Sequence, residues 1–184
     1  CKPELMPIMN KSGFIKCVQP TTAITLINVL NWSVDHPEMP TIELKFQDLS
    51  GLNFEYINLS NSDFRWSNFD TAKISNVDFT RANLSYTDLS GKDLTGTILT
   101  GSDLSYTNLT DVDMSGKDLT GIILTGVDLS GKDLTETILT GSDLSDVILT
   151  RTILTRANLS HTNLAGVDLS GIELVNTVMR RADL

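Results

Sequence analysis

Large apolar residues recur at every fifth position over most of the chain. From Leu44 to Leu184, each fifth residue is leucine, phenylalanine, isoleucine or methionine, without an insertion. An α-helix places apolar residues three and four apart, and a single β-strand places them two apart, so neither element explains this period. A fixed period over a long stretch is the signature of a repeat architecture. The pattern therefore predicts a solenoid in which each pentapeptide turns its large residue inward.

The other four positions of the repeat have their own preferences. A small residue stands two positions before the large one, as at Ser62, Ala82 and Thr107, and both point inward because strand side chains alternate. Asp or Asn usually separates the two, Ser or Thr usually follows, and the fifth residue is often Gly. These are turn-forming residues, so each pentapeptide is expected to carry its own corner.

This pattern resembles the pentapeptide-repeat family, whose unit is a small residue, Asp or Asn, Leu or Phe, and two polar residues. Residues 82–86 read Ala-Asn-Leu-Ser-Tyr, and residues 157–161 read Ala-Asn-Leu-Ser-His. The resemblance extends from about residue 42 to the last residue. It implies an all-β fold, a right-handed quadrilateral β-helix with four pentapeptides per coil and about seven coils over residues 41–184.

Residues 1–40 lack the period and are predicted to form an N-terminal cap. A short α-helix is expected near residues 21–32, because Thr21 or Thr22 can cap it and Ala23, Ile27 and Leu30 lie on one helical face. A terminal coil exposes apolar surface and open strand edges, so a solenoid benefits from such a cover.

The only two cysteines, Cys1 and Cys17, both lie in this predicted cap. We predict a Cys1–Cys17 disulfide, worth ~3 kcal/mol by loop-closure entropy, and hence an oxidising compartment. The segment from Cys1 to Leu26 also resembles a short cysteine-paired module of exported archaeal proteins. Free thiols in a cytosolic cap, and a lipid-bearing Cys1 exposed by signal cleavage, remain open as alternatives.

The location predicted from these features is secreted or cell-surface, with a cytoplasmic protein as the alternative. The sequence starts at Cys1 rather than Met, which we interpret as the product of signal-peptide removal. No stretch of the sequence is long and apolar enough to form a transmembrane helix.

Four aromatic residues are spaced twenty apart, at positions 46, 66, 86 and 106. With four pentapeptides per coil, they are expected to stand above one another at an outward corner. They form either a stabilising ladder or a binding platform for sugar rings, another protein or a second rod. Ile148 and Ile153, on adjacent sides of one coil, are a further candidate contact. The candidate binding residues are Phe46, Trp66, Tyr86, Tyr106, Ile148 and Ile153.

The formal charge of −9 lies on the repeats, and residues 88–146 hold eleven acidic residues and three lysines. Within this acidic waist, Asp93, Asp113 and Asp133 are expected to stack on one face, which makes them a weak candidate site for Ca²⁺. The alternative is that each carboxylate binds its own turn backbone.

The three lysines of the waist, Lys92, Lys117 and Lys132, each follow Gly and precede Asp, and each occupies the inward small position. Because a buried ammonium group is costly, we expect their stems to be buried and their charged ends to extend outward past the glycine.

The repeat continues in register to the last residue of the sequence. Leu174, Met179 and Leu184 are inward positions of the C-terminal coil, and Arg180 and Arg181 lie beside them. An open coil end invites pairing with another chain, so we predict a homo-oligomer formed through these five residues, with a closed dimer slightly favoured over a filament. A natural chain that continues further is the alternative.

Nothing in the sequence indicates catalysis or a cofactor. The histidines and cysteines lack metal-ligand spacing, and no triad-like arrangement or phosphate-binding loop is visible. We therefore predict a non-enzymatic extracellular or cell-surface structural or binding rod, whose regular side-chain lattice contacts protein or glycan or assembles with itself. The family resemblance implies an alternative: some members mimic acidic duplex DNA and bind or inhibit DNA gyrase. Direct nucleic-acid binding is not expected.

Overall fold

The computed structural model describes the backbone of residues 6–9 and 15–18 and the whole of residues 43–184. Strand β1 (Met6–Met9) and strand β2 (Ile15–Val18) form an antiparallel pair, with Met6 opposite Val18 and Pro7 opposite Cys17. The predicted helix near residues 21–32 and the residue Cys1 lie outside the described residues. The helical cap, the disulfide and the number of coils therefore stay predictions.

From residue 43 onward the backbone forms a coil that closes every twenty residues. Parallel bridges join residues twenty apart, from Glu43 with Asp63 to Asn163 with Asp183. The hydrogen bonds run in both directions: Leu104 N–H donates to the carbonyl of Ile123 at 2.8 Å, and Asp103 N–H donates to that of Ala82 at 2.9 Å. A turn follows every large residue, so the prediction of four pentapeptides per coil is confirmed.

The coil has four faces. Each face is a stack of pentapeptides that follow one another every twenty residues along the chain. Face one comprises the pentapeptides centred on Leu44 and its successors, and faces two, three and four begin with Leu49, Phe54 and Leu59. The bridges on face one are unbroken from Glu43 to Asp183. This face therefore holds the most regular part of the described structure.

The large residues fill the interior of the coil. Every fifth residue from Leu44 to Leu164 is buried, and four phenylalanines near the beginning pack together, with Phe64 and Phe79 edge to face at 5.7 Å. The small inward residues are satisfied as well as buried, since hydroxyls such as that of Thr107 donate to a carbonyl twenty-three residues earlier, at 3.0 Å. In residues 43–184 no buried side-chain nitrogen or oxygen lacks a hydrogen bond.

Every corner from residue 46 to residue 181 has a left-handed backbone, with φ between 52° and 76°. Glycine occupies eleven of these corners and other residues occupy seventeen. The outward Asp or Asn stabilises the adjacent turn by accepting the N–H of the residue two positions later, as Asp103 does from Ser105 at 2.9 Å. The expectation that each pentapeptide carries its own corner is confirmed.

Candidate functional site

The four aromatic residues predicted to stack form one continuous column, here called the aromatic ladder (Phe46, Trp66, Tyr86 and Tyr106). Neighbouring rings are nearly parallel, at 8°, 5° and 15°, and their centroids lie 6.5, 4.2 and 5.0 Å apart in chain order. All four project into solvent, with exposed fractions of 71%, 53%, 41% and 52%. The structure thus brings together residues sixty positions apart at one corner between faces one and two.

The geometry of the ladder decides which parts of the rings a partner can reach. Parallel rings at 4.2 and 5.0 Å must lie face over face, because rings placed side by side would be further apart. Trp66, Tyr86 and Tyr106 therefore cover one another's faces and present mainly their edges to solvent. The edges carry the indole N–H and the phenol hydroxyls, so the exposed surface is an apolar ridge with hydrogen-bonding groups.

The ladder ends where its last ring lies over a glycine. Gly126 follows Tyr106 in the same column, and a Cβ atom built on it would lie 2.4 Å from Cε1 of Tyr106. Tyr56 is a fifth exposed aromatic residue that sequence reasoning did not single out, and it lies at a different corner. It takes part in no ring pair among residues 43–184, which makes it a natural control for the ladder.

A charged cluster lies beside the first two rings. The carboxylate of Asp63 accepts from Arg65 at 2.8 Å and from Lys45 at 3.1 Å. Partial burial alone would raise the pKa of Asp63, but these two cations hold the pKa below its ordinary value of 3.8. The sequence analysis did not predict this cluster. Its signal in the sequence is the spacing of Lys45 and Arg65, which are twenty residues apart and each precede a ladder residue.

Rows of acid and amide groups flank the ladder on both sides. On face one the outward row contains Asn83 and Asp103, joined at 3.1 Å, and on face two it contains Asp48 and Asn68, also joined at 3.1 Å. Alternation of carboxylate and amide limits repulsion along each row while keeping the surface negative. The aromatic ladder is thus an apolar ridge between two polar, mainly acidic rows.

Ile148 and Ile153 are exposed, as predicted, but they lie away from the ladder. They occupy the outward rows of faces two and three, on either side of the corner formed by Arg151. The row neighbours of Ile148 are Asp128 and Asp168. These two isoleucines are therefore a small, separate apolar patch between acidic residues.

The candidate calcium ligands Asp93, Asp113 and Asp133 succeed one another on face three, and each is engaged by its own turn. The carboxylate of Asp113 accepts the hydroxyl of Ser115 at 2.7 Å and its N–H at 2.9 Å. In residues 43–184 no group of three or more acidic, His or Cys side chains is arranged to hold a metal ion. Each of these carboxylates thus binds its own turn, which is the alternative to a calcium site that the sequence left open.

Acid is expected to destabilise the folded chain once the pH falls below about 4. Hydrogen bonds from the following hydroxyl and N–H hold the pKa of Asp93, Asp113 and Asp133 below the ordinary value of 3.8. The unfolded chain therefore takes up protons first, so the stability from these groups is present above that value and is lost as the pH falls through the folded pKa values.

Thermal unfolding followed by circular dichroism, between neutral pH and about pH 3, measures this loss. The matched control is Asp113→Asn, since an Asn side chain makes the same turn bond, as Asn108 does with Thr110 at 3.0 Å. The variant should lose less stability in acid, and a Tm that does not change with pH would contradict the prediction.

The residues predicted to mediate self-association lie in a coil whose interior is accessible. The exposed fraction is 37% for Leu174 and 77% for Leu184, whereas Met179 is partly buried against the core. Arg180 and Arg181 are exposed beside them. The structure thus places an apolar surface with an arginine pair at this end of the described residues.

Solved structures similar to this chain are pentapeptide repeat proteins of low sequence identity. HetL, a protein involved in heterocyst differentiation regulation in the cyanobacterium Nostoc sp. strain PCC 7120, is 19% identical, with 85% of this chain and 93% of that chain covered and a TM-score of 0.40. Trypsin-treated QnrB1, a plasmid-mediated fluoroquinolone resistance protein, is 18% identical, with 74% and 83% covered and a TM-score of 0.38. A thylakoid-lumen protein of Arabidopsis thaliana is 22% identical, with 70% and 72% covered and a TM-score of 0.21.

No curated protein sequence matches this chain. The described residues contain no helix with the length and apolarity needed to cross a membrane.

The profile of the family described as Pentapeptide repeats matches eight copies, over residues 48–85, 78–116, 118–151 and 152–184. Proteins of this family fold as right-handed quadrilateral β-helices, in agreement with the coil of residues 43–184. Since the match spans well over half of the sequence, the chain belongs to the pentapeptide-repeat family.

Proposed function

We propose that this protein is a non-enzymatic binding rod and that the aromatic ladder is its contact with another protein. The observation that carries the proposal is the exposure of four parallel, stacked aromatic rings between two rows of acid and amide side chains. Stacking holds the rings in place before a partner arrives, so little side-chain entropy is lost on binding. Exposed Trp and Tyr residues that are fixed in this way are typical of the residues that dominate protein interfaces.

The stacking favours a protein over a glycan as the partner. A sugar ring packs its C–H groups against the face of an aromatic ring, but the faces of Trp66 and Tyr86 are covered by their neighbours at 4.2 and 5.0 Å. An apolar groove in a partner protein can receive the ring edges and pair with the N–H and hydroxyl groups. The acidic rows beside the ladder then favour a groove with cationic margins.

Site-directed photocrosslinking in the source cells tests the ladder as a contact. Replacing Tyr86 with a photoreactive phenylalanine analogue retains an aromatic ring in the stack, and the same replacement at exposed Tyr56 is the matched control. We expect a discrete adduct from position 86 and none from position 56, and a Trp66→Ser, Tyr106→Ser background should remove it. No adduct at position 86, or equal adducts at both positions, would contradict the proposal.

A second candidate function, mimicry of acidic duplex DNA toward a type II topoisomerase such as gyrase, is favoured by the carboxylates of the waist. Asp93, Asp113 and Asp133 follow one another on face three without an intervening amide, and their turn bonds fix their positions. Their lowered pKa values keep them charged at neutral pH. A fixed row of negative charge is what such a mimic requires.

Gyrase assays at low salt separate this candidate from the first. Binding and inhibition of supercoiling should weaken steeply with salt, and joint replacement of Asp93, Asp103, Asp113 and Asp133 by Asn should abolish them. Ladder variants should leave them unchanged. Absence of any effect on gyrase at low salt would remove this candidate.

We propose a secreted or cell-surface location, which is supported by the predicted pairing of the only two cysteines. Cell fractionation tests the location, and recovery in the cytosol would contradict it.

We also propose self-association through the C-terminal coil, which is supported by its accessible apolar residues. Sedimentation over a range of concentrations tests the association, with a Leu174→Lys, Leu184→Lys variant as the control. A monomer at all concentrations would contradict it.

A further inference from the structure

Two lysines of the acidic waist have their charged ends between successive coils. The Nζ atom of Lys117 donates to the carbonyl of Leu94 at 2.8 Å, and that of Lys132 donates to the carbonyl of Val112 at 3.0 Å. The expectation that the ammonium groups extend outward past the glycines is wrong for these two residues. Lys117 instead takes the place of the hydroxyls that elsewhere donate to a carbonyl twenty-three residues earlier, as Thr107 does.

The coils are less tightly joined around these lysines than elsewhere. On face three the bridges include Asn53 with Lys73 and Asp133 with Ile153, but within residues 43–184 none joins the three steps from Lys73 to Asp133. An open groove of about 740 Å³ lies beside Lys117, and another of about 470 Å³ lies beside Lys132. A small molecule can therefore approach both amines from solvent.

The glycine before each of these lysines leaves the approach clear. A Cβ atom added to Gly116 or Gly131 would meet no heavy atom within 4 Å. Both lysine side chains are half-buried. The two amines are thus sheltered by the coils on one side and accessible from the groove on the other.

Burial disfavours the charged form of both amines, although the carbonyl to which each one donates favours it. In residues 43–184 neither ammonium group is within ion-pair distance of a carboxylate. Burial lowers the pKa of Lys117 despite Asp93 and Asp113, and it lowers the pKa of Lys132 despite the carboxylates of Asp111, Asp113 and Asp128. A larger share of each amine is therefore the neutral base, which is the nucleophilic form.

We propose that Lys117 and Lys132 are sites of acylation by small activated acyl donors, namely acyl phosphates or thioesters. The neutral amine attacks the acyl carbon, a C–N bond forms, and the bond from carbon to phosphate oxygen or to sulfur breaks. The phosphate or thiolate leaves with the bonding electrons, and the nitrogen loses one proton to water. The amide N–H that remains can still donate to the carbonyl of Leu94 or Val112.

Acylation changes the charge that the waist presents. Each acyl group removes one positive charge, and for Lys117 it removes the cation that favours the charged forms of Asp93 and Asp113. The modified rod is more negative on faces three and four, whereas the aromatic ladder at the corner between faces one and two is unaffected. This inference is thus independent of the proposed ladder contact. It applies to a chain that folds in the cytoplasm, the alternative location, because acyl phosphates and acyl thioesters are made there.

Site-resolved kinetics with limiting acetyl phosphate test the proposal on the folded protein at neutral pH. Lys92 is the matched control, because it is the remaining copy of Gly-Lys-Asp, lines the same groove as Lys117 and is also half-buried. Among residues 43–184 its ammonium group makes no hydrogen bond like those of Lys117 and Lys132. Peptide mass spectrometry should show acetylation of Lys117 and Lys132 several-fold faster than that of Lys92. In protein unfolded by urea, the three rates should become equal.

Two outcomes would overturn the proposal. In the first, the folded protein acetylates Lys117 and Lys132 no faster than Lys92, which would show that shelter by the coils outweighs the loss of charge. In the second, the faster rates persist in urea, which would assign them to the local sequence rather than to the fold.

Discussion

Replacing Leu104 with aspartate is expected to destabilise the β-helix by about 4 kcal/mol or more, which is a large fraction of the stability of a typical domain. Leu104 has an exposed fraction of 0% and lies between Leu84 and Leu124 in the inward row of face one. The substitution loses the packing of a leucine and places a carboxylate where no water or cation can reach it. Thermal unfolding followed by circular dichroism measures the loss.

The control for this experiment adds the same side chain to the outside of the coil. Asn108→Asp introduces a carboxylate at an exposed outward position, and its oxygen can still accept the N–H of Thr110, as Asn108 does at 3.0 Å. This variant loses the amide that donates to Asp88, but its charge stays in water, so it should unfold within a few degrees of the unmodified protein. Equal decreases in Tm for the two variants would contradict the assignment of inward and outward rows.

The sequence predicts the architecture well because a repeat has a single register. Once four pentapeptides form a coil, each residue has a fixed row, and the stacking of Phe46, Trp66, Tyr86 and Tyr106 follows from arithmetic. Their projection into solvent follows as well, since the corner is the position furthest from the inward row. The first forty residues have no period, so their predicted helix and disulfide rest on weaker local patterns.

Features that depend on the exact separation of the coils could not be predicted from the period. Lys117 was expected to extend outward, but a carbonyl of the previous coil is within its reach, and a charge-assisted hydrogen bond offsets part of the cost of burial. The wider spacing of Phe46 and Trp66, at 6.5 Å, is likewise absent from the sequence pattern. Such adjustments arise from the side chains that meet at one step of the coil.

The corners show how coil-to-coil bonding outweighs local preference. The left-handed conformation costs a residue with a Cβ atom roughly 1–2 kcal/mol, and yet seventeen corners without glycine adopt it. At most of these corners the N–H donates to the next coil, as that of Tyr86 does to the carbonyl of Ser105 at 3.0 Å. The conformation is imposed by neighbouring coils, so glycine is favourable at most corners but required only where space is lacking.

Gly126 is the corner where space is lacking, and Gly126→Ala is expected to cost about 2–3 kcal/mol. Its φ of 69° imposes the left-handed penalty, and the new methyl group would lie 2.4 Å from Cε1 of Tyr106. To make room, the Tyr106 ring must leave its stack on Tyr86, whose centroid is 5.0 Å away. The substitution therefore loses backbone and ring-stacking energy together, and near-ultraviolet circular dichroism should report the displaced ring.

Gly131→Ala separates the two contributions. Gly131 has a φ of 68° and no heavy atom within 4 Å of its added Cβ, so this variant should show only the left-handed penalty of about 1–2 kcal/mol. A Tyr106→Ser background removes the obstructing ring, and in it Gly126→Ala should cost no more than Gly131→Ala. Denaturant unfolding of the unmodified protein, the three single variants and the double variant measures each difference. If Gly126→Ala and Gly131→Ala were equally destabilising with Tyr106 present, the ring would not lie over Gly126 in solution, and the ladder would lack the fixed end that the structure gives it.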